Sequence, residues 1–262
     1  MTIEQLIDNT KQLRLFGICE TIEQRILQAR DKTLGFEELL SMLFQDEAQY
    51  RDRIALSKRI NNAKFEELKR FDNFDLRRYK DKTVQAIHYL MTGAFLNTNN
   101  HIVIMGPVGT GKTHLGQSLG LMACQKGKKV HFVRANDLLL EFHRSKADES
   151  TYQLFKRFNR YDVLIIDDFG LKSLSAEQSN DLYDLIASMH ISSCIIFTTN
   201  RKVEDWSSVF YDPVMANAAM DRIINNSYRI ILDGDSYRKN LHLNMILEVI
   251  NQIKKFKLRW TV

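Results

Sequence analysis

Gly106-Pro-Val-Gly-Thr-Gly-Lys112-Thr113 stands between a short apolar run, His101–Met105, and a segment in which Leu115, Leu119 and Met122 recur at helical spacing. Strand, glycine-rich loop and helix in that order are the context in which this pattern binds phosphate. Gly106, Gly109 and Gly111 let the backbone turn steeply and approach an anion closely. Successive N–H groups and the helix N-terminus then aim positive charge at the phosphate oxygens. Lys112 adds a full charge for the β- and γ-phosphates, and the Thr113 hydroxyl is suited to help hold Mg²⁺. The ligand this pattern implies is ATP with Mg²⁺. The candidate nucleotide-binding residues are Gly106, Pro107, Val108, Gly109, Thr110, Gly111, Lys112, Thr113 and His114. A glycine-rich turn that merely precedes a helix is the plain alternative, and the correct flanks on both sides argue against it.

A second element of such a site follows in Val163-Leu-Ile-Ile-Asp167-Asp168, a buried strand ending in two carboxylates. Asp167 suits support of Mg²⁺, alongside Thr113, and Asp168 is placed to orient or deprotonate the attacking water. Glu is the more usual residue at the second position. The shorter Asp reaches less far, so slow hydrolysis is expected until a partner adjusts the geometry. The run Cys194–Thr199 ends at Asn200, whose amide could bond the γ-phosphate or the water, or could be an ordinary loop amide. Arg222 and Arg238 are candidates to supply charge to the transferring phosphoryl group, against the reading that each is a surface cation.

The apolar runs His101–Met105, Val130–Val133, Val163–Ile166, Cys194–Thr198 and Tyr228–Leu232 alternate with helical patterns, which predicts a parallel sheet sandwiched by helices. Ligands of such sheets bind at the carboxyl ends of the strands, which is where the glycine-rich loop sits. Residues 1–64 read as a small helical domain, from stripes at Ile18, Ile22, Ile26 and Ala29 and at Phe36, Leu39, Leu40, Leu43 and Phe44. Residues 65–82, charged and aromatic, read as a linker able to pack on the next domain through Phe71, Phe74 and Tyr79. A helix is expected at Thr83–Leu96, within an ATPase domain spanning 83–262.

Cys19, Cys124 and Cys194 are odd in number and widely spaced, without a metal or disulfide pattern. No apolar run reaches the roughly 18 residues of a membrane helix, and the N-terminus lacks a secretory pattern. A cytoplasmic protein with no membrane partner is expected. A net charge of +5 leans toward a polyanionic partner without identifying one.

At this point the chain resembles the AAA+ superfamily, and within it the IstB transposition helper ATPases, relatives of the DnaC helicase loaders. The residues that carry the resemblance are LGFEELLSMLFQDEAQYRDR (34–53), NNAKF (61–65), GPVGTGKTHLGQSLG (106–120), IIDDFG (165–170), TTN (198–200), DWSSVFYDPVMANAAMDRI (205–223) and GDSYR (234–238). The N-terminal stretch and the tract from Trp206 to Arg222 make it specific, because the phosphate-loop and strand-end motifs are shared by many unrelated ATPases.

The resemblance implies an AAA+ P-loop core with a five-stranded parallel sheet, a small all-α N-terminal domain and little or no C-terminal lid. It implies Asn200 as the sensor of the γ-phosphate, Arg222 as an arginine finger completing a neighbouring subunit's site, and Arg238 as a second sensor. It also implies a homo-oligomer that assembles on duplex DNA with ATP and presents that DNA to a cognate transposase. Asn225-Asn226 departs from the family, where His is common.

For DNA contact the sequence offers Arg51, Arg53, Lys58 and Arg59 on one helical stretch, with Lys64 nearby, and Arg144 and Lys146, beside His143, in an expected sheet-edge loop between Ala135 and Thr151. The tail Lys254, Lys255, Phe256, Lys257, Arg259 and Trp260 is a further basic cluster. Such clusters can track phosphates or be solvated faces. Residues 1–82 hold sixteen Lys or Arg against fifteen Asp or Glu, so charge alone does not choose. The alternatives are a DnaC-like loader preferring single strands, an adaptor that uses ATP for assembly and hardly hydrolyses it, and, more remotely, a small-molecule kinase.

Overall fold

The computed structural model describes residues 2–98, 100–189, 192–234, 236 and 237, and the chain divides into two compact units after Asn61. The first is helical, with α1 (Ile3–Gln12), α2 (Phe16–Asp31) and most of α3 (Phe36–Ala63). A capping box starts α1: Thr2 Oγ1 accepts the Gln5 N–H at 3.3 Å, and Gln5 Oε1 accepts the Thr2 N–H at 3.0 Å. At its own N-terminus α2 has no capping side chain. Glu47 reaches from α3 instead, its Oε2 accepting from Gly17 N at 2.7 Å and Ile18 N at 3.2 Å. Ile18, Ile22 and Leu43 form the core of this unit, with Leu39 packed on it. The other half of the expected α3 stripe faces outward: Phe36, Leu40 and Phe44 are exposed.

The second unit opens with residues 65–82, which lie on it rather than stretching away from it. Phe74 and Tyr79 are buried, and Glu67 N donates to Gln117 Oε1. The segment is shaped by two single 3₁₀ turns, Phe71–Asn73 and Leu76–Arg78. The helix expected over 83–96 is two helices, α4 (Asp81–Met91) and α5 (Phe95–Thr98), because the chain turns at Gly93 in the left-handed region (φ 79°).

The remaining order is β1 (His101–Met105), α6 (Lys112–Gln125), β2 (Val130–Arg134), α7 (Ala135–Ala147), α8 (Thr151–Phe158), β3 (Val163–Phe169), α9 (Ala176–Met189), β4 (Cys194–Thr199), a 3₁₀ turn at Val203–Ser208, α10 (Pro213–Ile224) and β5 (Ser227–Ile231). All five strands are parallel, in the order β2-β3-β4-β1-β5. β1 and β4 are buried at every position, as apolar strands covered on both faces must be. Side chains alternate between layers: Val103, Ile166 and Phe197 join the core under α7, α9 and α10, while Ile104 and Ile165 meet α6. Trp206 is fully buried in the first of these layers, its ring centroid 4.6 Å from that of Phe169.

The region 135–151, expected as a sheet-edge loop, is mostly the helix α7. Leu138 and Phe142, four apart, are buried on its inner face, and their burial outweighs the charged residues that suggested a loop. Among the described residues no helix is long and apolar enough to cross a membrane.

Candidate nucleotide site

Because the sheet is parallel, the ends of β1, β3 and β4 share one edge, and that edge collects the chemistry. The phosphate loop leaves β1 at Gly106, whose N–H donates to Thr199 O on the neighbouring strand. Gly111 precedes α6 with φ 92°, a conformation that a side chain would strain and that turns the following amides into the helix N-terminus. Pro107 O accepts from Thr110 Oγ1 at 2.9 Å and from Lys112 Nζ at 2.8 Å, so the lysine lies folded along the loop and is itself buried. Val108 is exposed at the loop's tip. Beyond the lysine, His114 takes another direction. Its Nε2 meets Arg70 O at 2.9 Å and its ring packs edge-on against Phe74, with burial holding its pKa below the ordinary value.

Asp167 and Asp168 end β3. Asp167 is buried and accepts from Thr113 Oγ1 at 3.0 Å through Oδ2 and from Thr198 Oγ1 at 2.5 Å through Oδ1. Burial pushes its carboxyl above the ordinary range, and the negative charge of Asp168 adds to this, against the opposing hydrogen bonds from Thr198 and Thr113. The Thr113 hydroxyl beside the Asp167 carboxylate is a pair of hard oxygen donors, which fits Mg²⁺ shared with phosphate and water. Asn200 follows β4 on the same edge. It lines, with Gly106, Pro107, Val108, Arg201 and Arg229, an open cavity of about 1200 Å³ beside the loop.

Arg222 is not brought to this edge. It lies near the C-terminus of α10, its guanidinium bonded to Ala218 O at 3.0 Å and 4.9 Å over the Tyr183 ring. Five residues later β5 begins, with Ser227 paired to His101, the first residue of β1. Arg222 and the loop of the same chain are therefore at opposite ends of the sheet, separated by about 16 Å of strand. Arg238 and the basic tail lie outside the described residues.

Of the expected DNA contacts, Arg51 pairs with Glu47, Arg53 with Glu20, and Lys146 with Glu177 and Asp181. Lys58 and Arg144 make no ion pair among the described residues, and Arg59 has an interaction of its own.

Two ties to the loop and one cation at its edge were not read from the sequence, although Tyr79 was expected to pack on this domain. Tyr79 Oη donates to Thr110 O at 2.5 Å, and Tyr237 N donates to Gly109 O at 2.8 Å. Tyr237 in turn is tied to residues 75–78, its hydroxyl 3.1 Å from Asp75 N and its ring 3.7 Å from the Arg78 guanidinium. Arg134, in register with Asp167 at the end of β2, is a cation at the same edge, held by Glu66. An aromatic residue inside a charged stretch was the available signal for Tyr79. Nothing in the local pattern marked the others.

Known proteins resemble this chain in both sequence and fold. The model of the family described as IstB-like ATP binding protein matches residues 8–244. A protein described as ATP-binding from an insertion sequence of Mycobacterium tuberculosis is 34% identical over 229 residues, covering 87% of this chain and 91% of its own. The ATP-binding protein described for insertion sequence IS232 of Bacillus thuringiensis subsp. berliner is 29% identical over 241 residues, 92% of this chain and 96% of that one. Among solved structures the DnaC helicase loader superposes with a TM-score of 0.51 at 18% identity, over 61% of this chain and 97% of that one. The replication initiator DnaA bound to AMPPCP and single-stranded DNA does so with a TM-score of 0.55 at 18% identity, over 66% and 52%. The two structures share the fold, an α/β P-loop core of the AAA+ kind, and the family match identifies this chain as a member of the IstB-like ATP-binding proteins.

Proposed function

We propose that this protein is an ATP-dependent helper of transposition. It binds ATP with Mg²⁺ at the phosphate loop, oligomerises on duplex DNA, hydrolyses ATP and delivers target DNA to a cognate transposase, all in the cytoplasm. The observation that carries this is the family match over residues 8–244, joined to insertion-sequence relatives aligned over nine tenths or more of their own length.

In this reading Gly106–His114 form the nucleotide-binding segment and Lys112 engages the β- and γ-phosphates. Thr113 and Asp167 would hold Mg²⁺, which neutralises phosphate charge when bound. Asp168 orients the attacking water and takes its proton, and Asn200 reads the γ-phosphate from the neighbouring strand end. Arg222 serves the site of another subunit. Its place at the far end of its own sheet supports this, since a residue so placed cannot act in cis. Arg238 completes the set as a second sensor. The helical residues 1–64 bind DNA or a partner, and residues 65–82 join them to the ATPase domain at 83–262.

Lys58 and Arg144, which make no ion pair among the described residues, are the cations best placed for phosphate contact, and Arg59 remains a candidate beside Lys58. Arg53 and Glu20 are both more than half exposed, so a phosphate can take the place of Glu20. Arg51 and Lys146 are held by buried acids and contribute less.

The test is binding of the whole chain to random-sequence duplex and single-stranded DNA, with and without ATP and Mg²⁺, beside Lys112→Ala. Cooperative duplex binding that appears with ATP and is lost in Lys112→Ala is the expected result. A gain confined to single strands would replace the transposition helper with a helicase loader.

A further inference from the structure

β3 and β4 run in register from Val163 opposite Cys194 to Ile166 opposite Phe197, and meet again at Phe169 opposite Thr199. Between these pairs two residues of β3, Asp167 and Asp168, face a single residue of β4, Thr198. This is a β-bulge, and its extra residue, Asp168, sits in the left-handed region with φ 56°. A regular strand would send two consecutive carboxylates to opposite faces of the sheet; the bulge changes that direction.

One side chain closes the bulge. Thr198 is fully buried, and its hydroxyl donates to Asp167 Oδ1 at 2.5 Å while accepting the Asp168 N–H at 3.0 Å. Its one proton and a lone pair are thus spent on two adjacent acids. The next residue repeats the arrangement: Thr199 Oγ1 donates to Phe169 O at 2.8 Å and accepts from Arg201 N at 3.1 Å. Arg201 Nε donates in turn to Gly170 O. The strand end that leads into Asn200 is therefore fastened to the bulge at both threonines and at Arg201.

We propose that Thr198 is a positioning residue for hydrolysis, fixing where the Asp167 and Asp168 carboxylates stand and coupling that placement to the strand end that carries Asn200. This rests on the ATPase reading above. Thr198→Val keeps the shape and removes the hydroxyl, and Thr198→Ser keeps the hydroxyl. Both are compared with wild type in steady-state hydrolysis on duplex DNA, in equilibrium binding of a fluorescent ATP analogue with and without Mg²⁺, and in thermal melting.

Displacement of reacting groups by about 1 Å costs on the order of 100-fold, so Thr198→Val is expected to lose roughly that much kcat, with KM for ATP rising by no more than the Mg²⁺ contribution to affinity. The added nucleotide affinity that Mg²⁺ confers should be lost in Thr198→Val, and Thr198→Ser should restore both properties. If the valine variant does not fold, Thr198→Ala carries the same expectation.

A valine variant that turns over at the wild-type rate, or a serine variant as impaired as valine, overturns the proposal. So does a lowered melting temperature with kcat and the Mg²⁺ effect unchanged, since that is the mark of a merely structural threonine. A wild-type chain without turnover would instead sink the ATPase reading, and the Mg²⁺ effect on binding in the two variants would still decide for or against Thr198.

Discussion

Two carbonyls of the phosphate loop are already spoken for: Thr110 O by the Tyr79 hydroxyl and Gly109 O by the Tyr237 N–H. In a planar trans peptide the N–H that follows a carbonyl points the opposite way, so these bonds also aim the amides of Gly111 and Thr110. Amides aimed in advance cost less to order when an anion arrives. Tyr79→Phe keeps the ring stacked on Phe74, 5.4 Å between centroids, and removes only the hydroxyl. A hydrogen bond of this kind contributes about 1 kcal/mol, so ATP affinity in Tyr79→Phe should fall roughly fivefold with kcat little changed, by fluorescent-nucleotide titration and steady-state kinetics. Unchanged affinity would show that the loop holds its shape unaided.

At the scale of elements, the start of α2 depends on a residue of α3. Glu47 is buried where it receives the Gly17 and Ile18 amides. Burial alone would raise its carboxyl, but the Arg51 guanidinium and the two backbone donors outweigh it and hold the pKa below the usual value. A carboxyl with a lowered folded pKa contributes stability that is complete above its unfolded pKa and is lost as pH falls through the folded one. Glu47→Gln should therefore speed amide exchange in the first turn of α2, with a cost of about 2 kcal/mol near neutral pH. That difference should shrink below pH of about 4; a cost that stays constant across that range would mean the charge is irrelevant. None of this cross-helix capping could be read locally, since Glu47 sits in an ordinary acidic stretch thirty residues from Gly17. The strands were legible, because a sheet covered on both faces demands continuous apolar runs such as Val163–Ile166. So was the loop, whose residue types are dictated by phosphate. Periodicity found the α3 stripe but could not tell that Phe36, Leu40 and Phe44 face outward. Charge disguised α7 as a loop, and the two acids of IIDDFG gave no sign that they flank a bulge opposite one threonine.

For the whole molecule, the separation of Arg222 from its own loop means that, if it acts in a neighbour's site as proposed, hydrolysis is a property of the assembly. Arg222→Ala should keep ATP binding and lose about 10³-fold or more in turnover, within the range of about 10³ to 10⁵ that a finger in trans can supply. Lys112→Ala should fail for the opposite reason, an empty site with an intact finger. Mixed, the two variants should recover part of the lost rate, because Lys112→Ala subunits lend Arg222 to intact loops; mixtures as inactive as their components would remove Arg222 from a neighbour's site. Such experiments need a signal from the loaded site itself, and the fold contains one. Trp206 is sealed away from solvent with its indole 4.6 Å from Phe169, the residue directly after Asp168, and 5.4 Å from Phe197, the residue before Thr198. The two strand ends that would handle the γ-phosphate thus press on a native chromophore, and a change in its emission when nucleotide fills the loop is the expected optical signal, needing no dye.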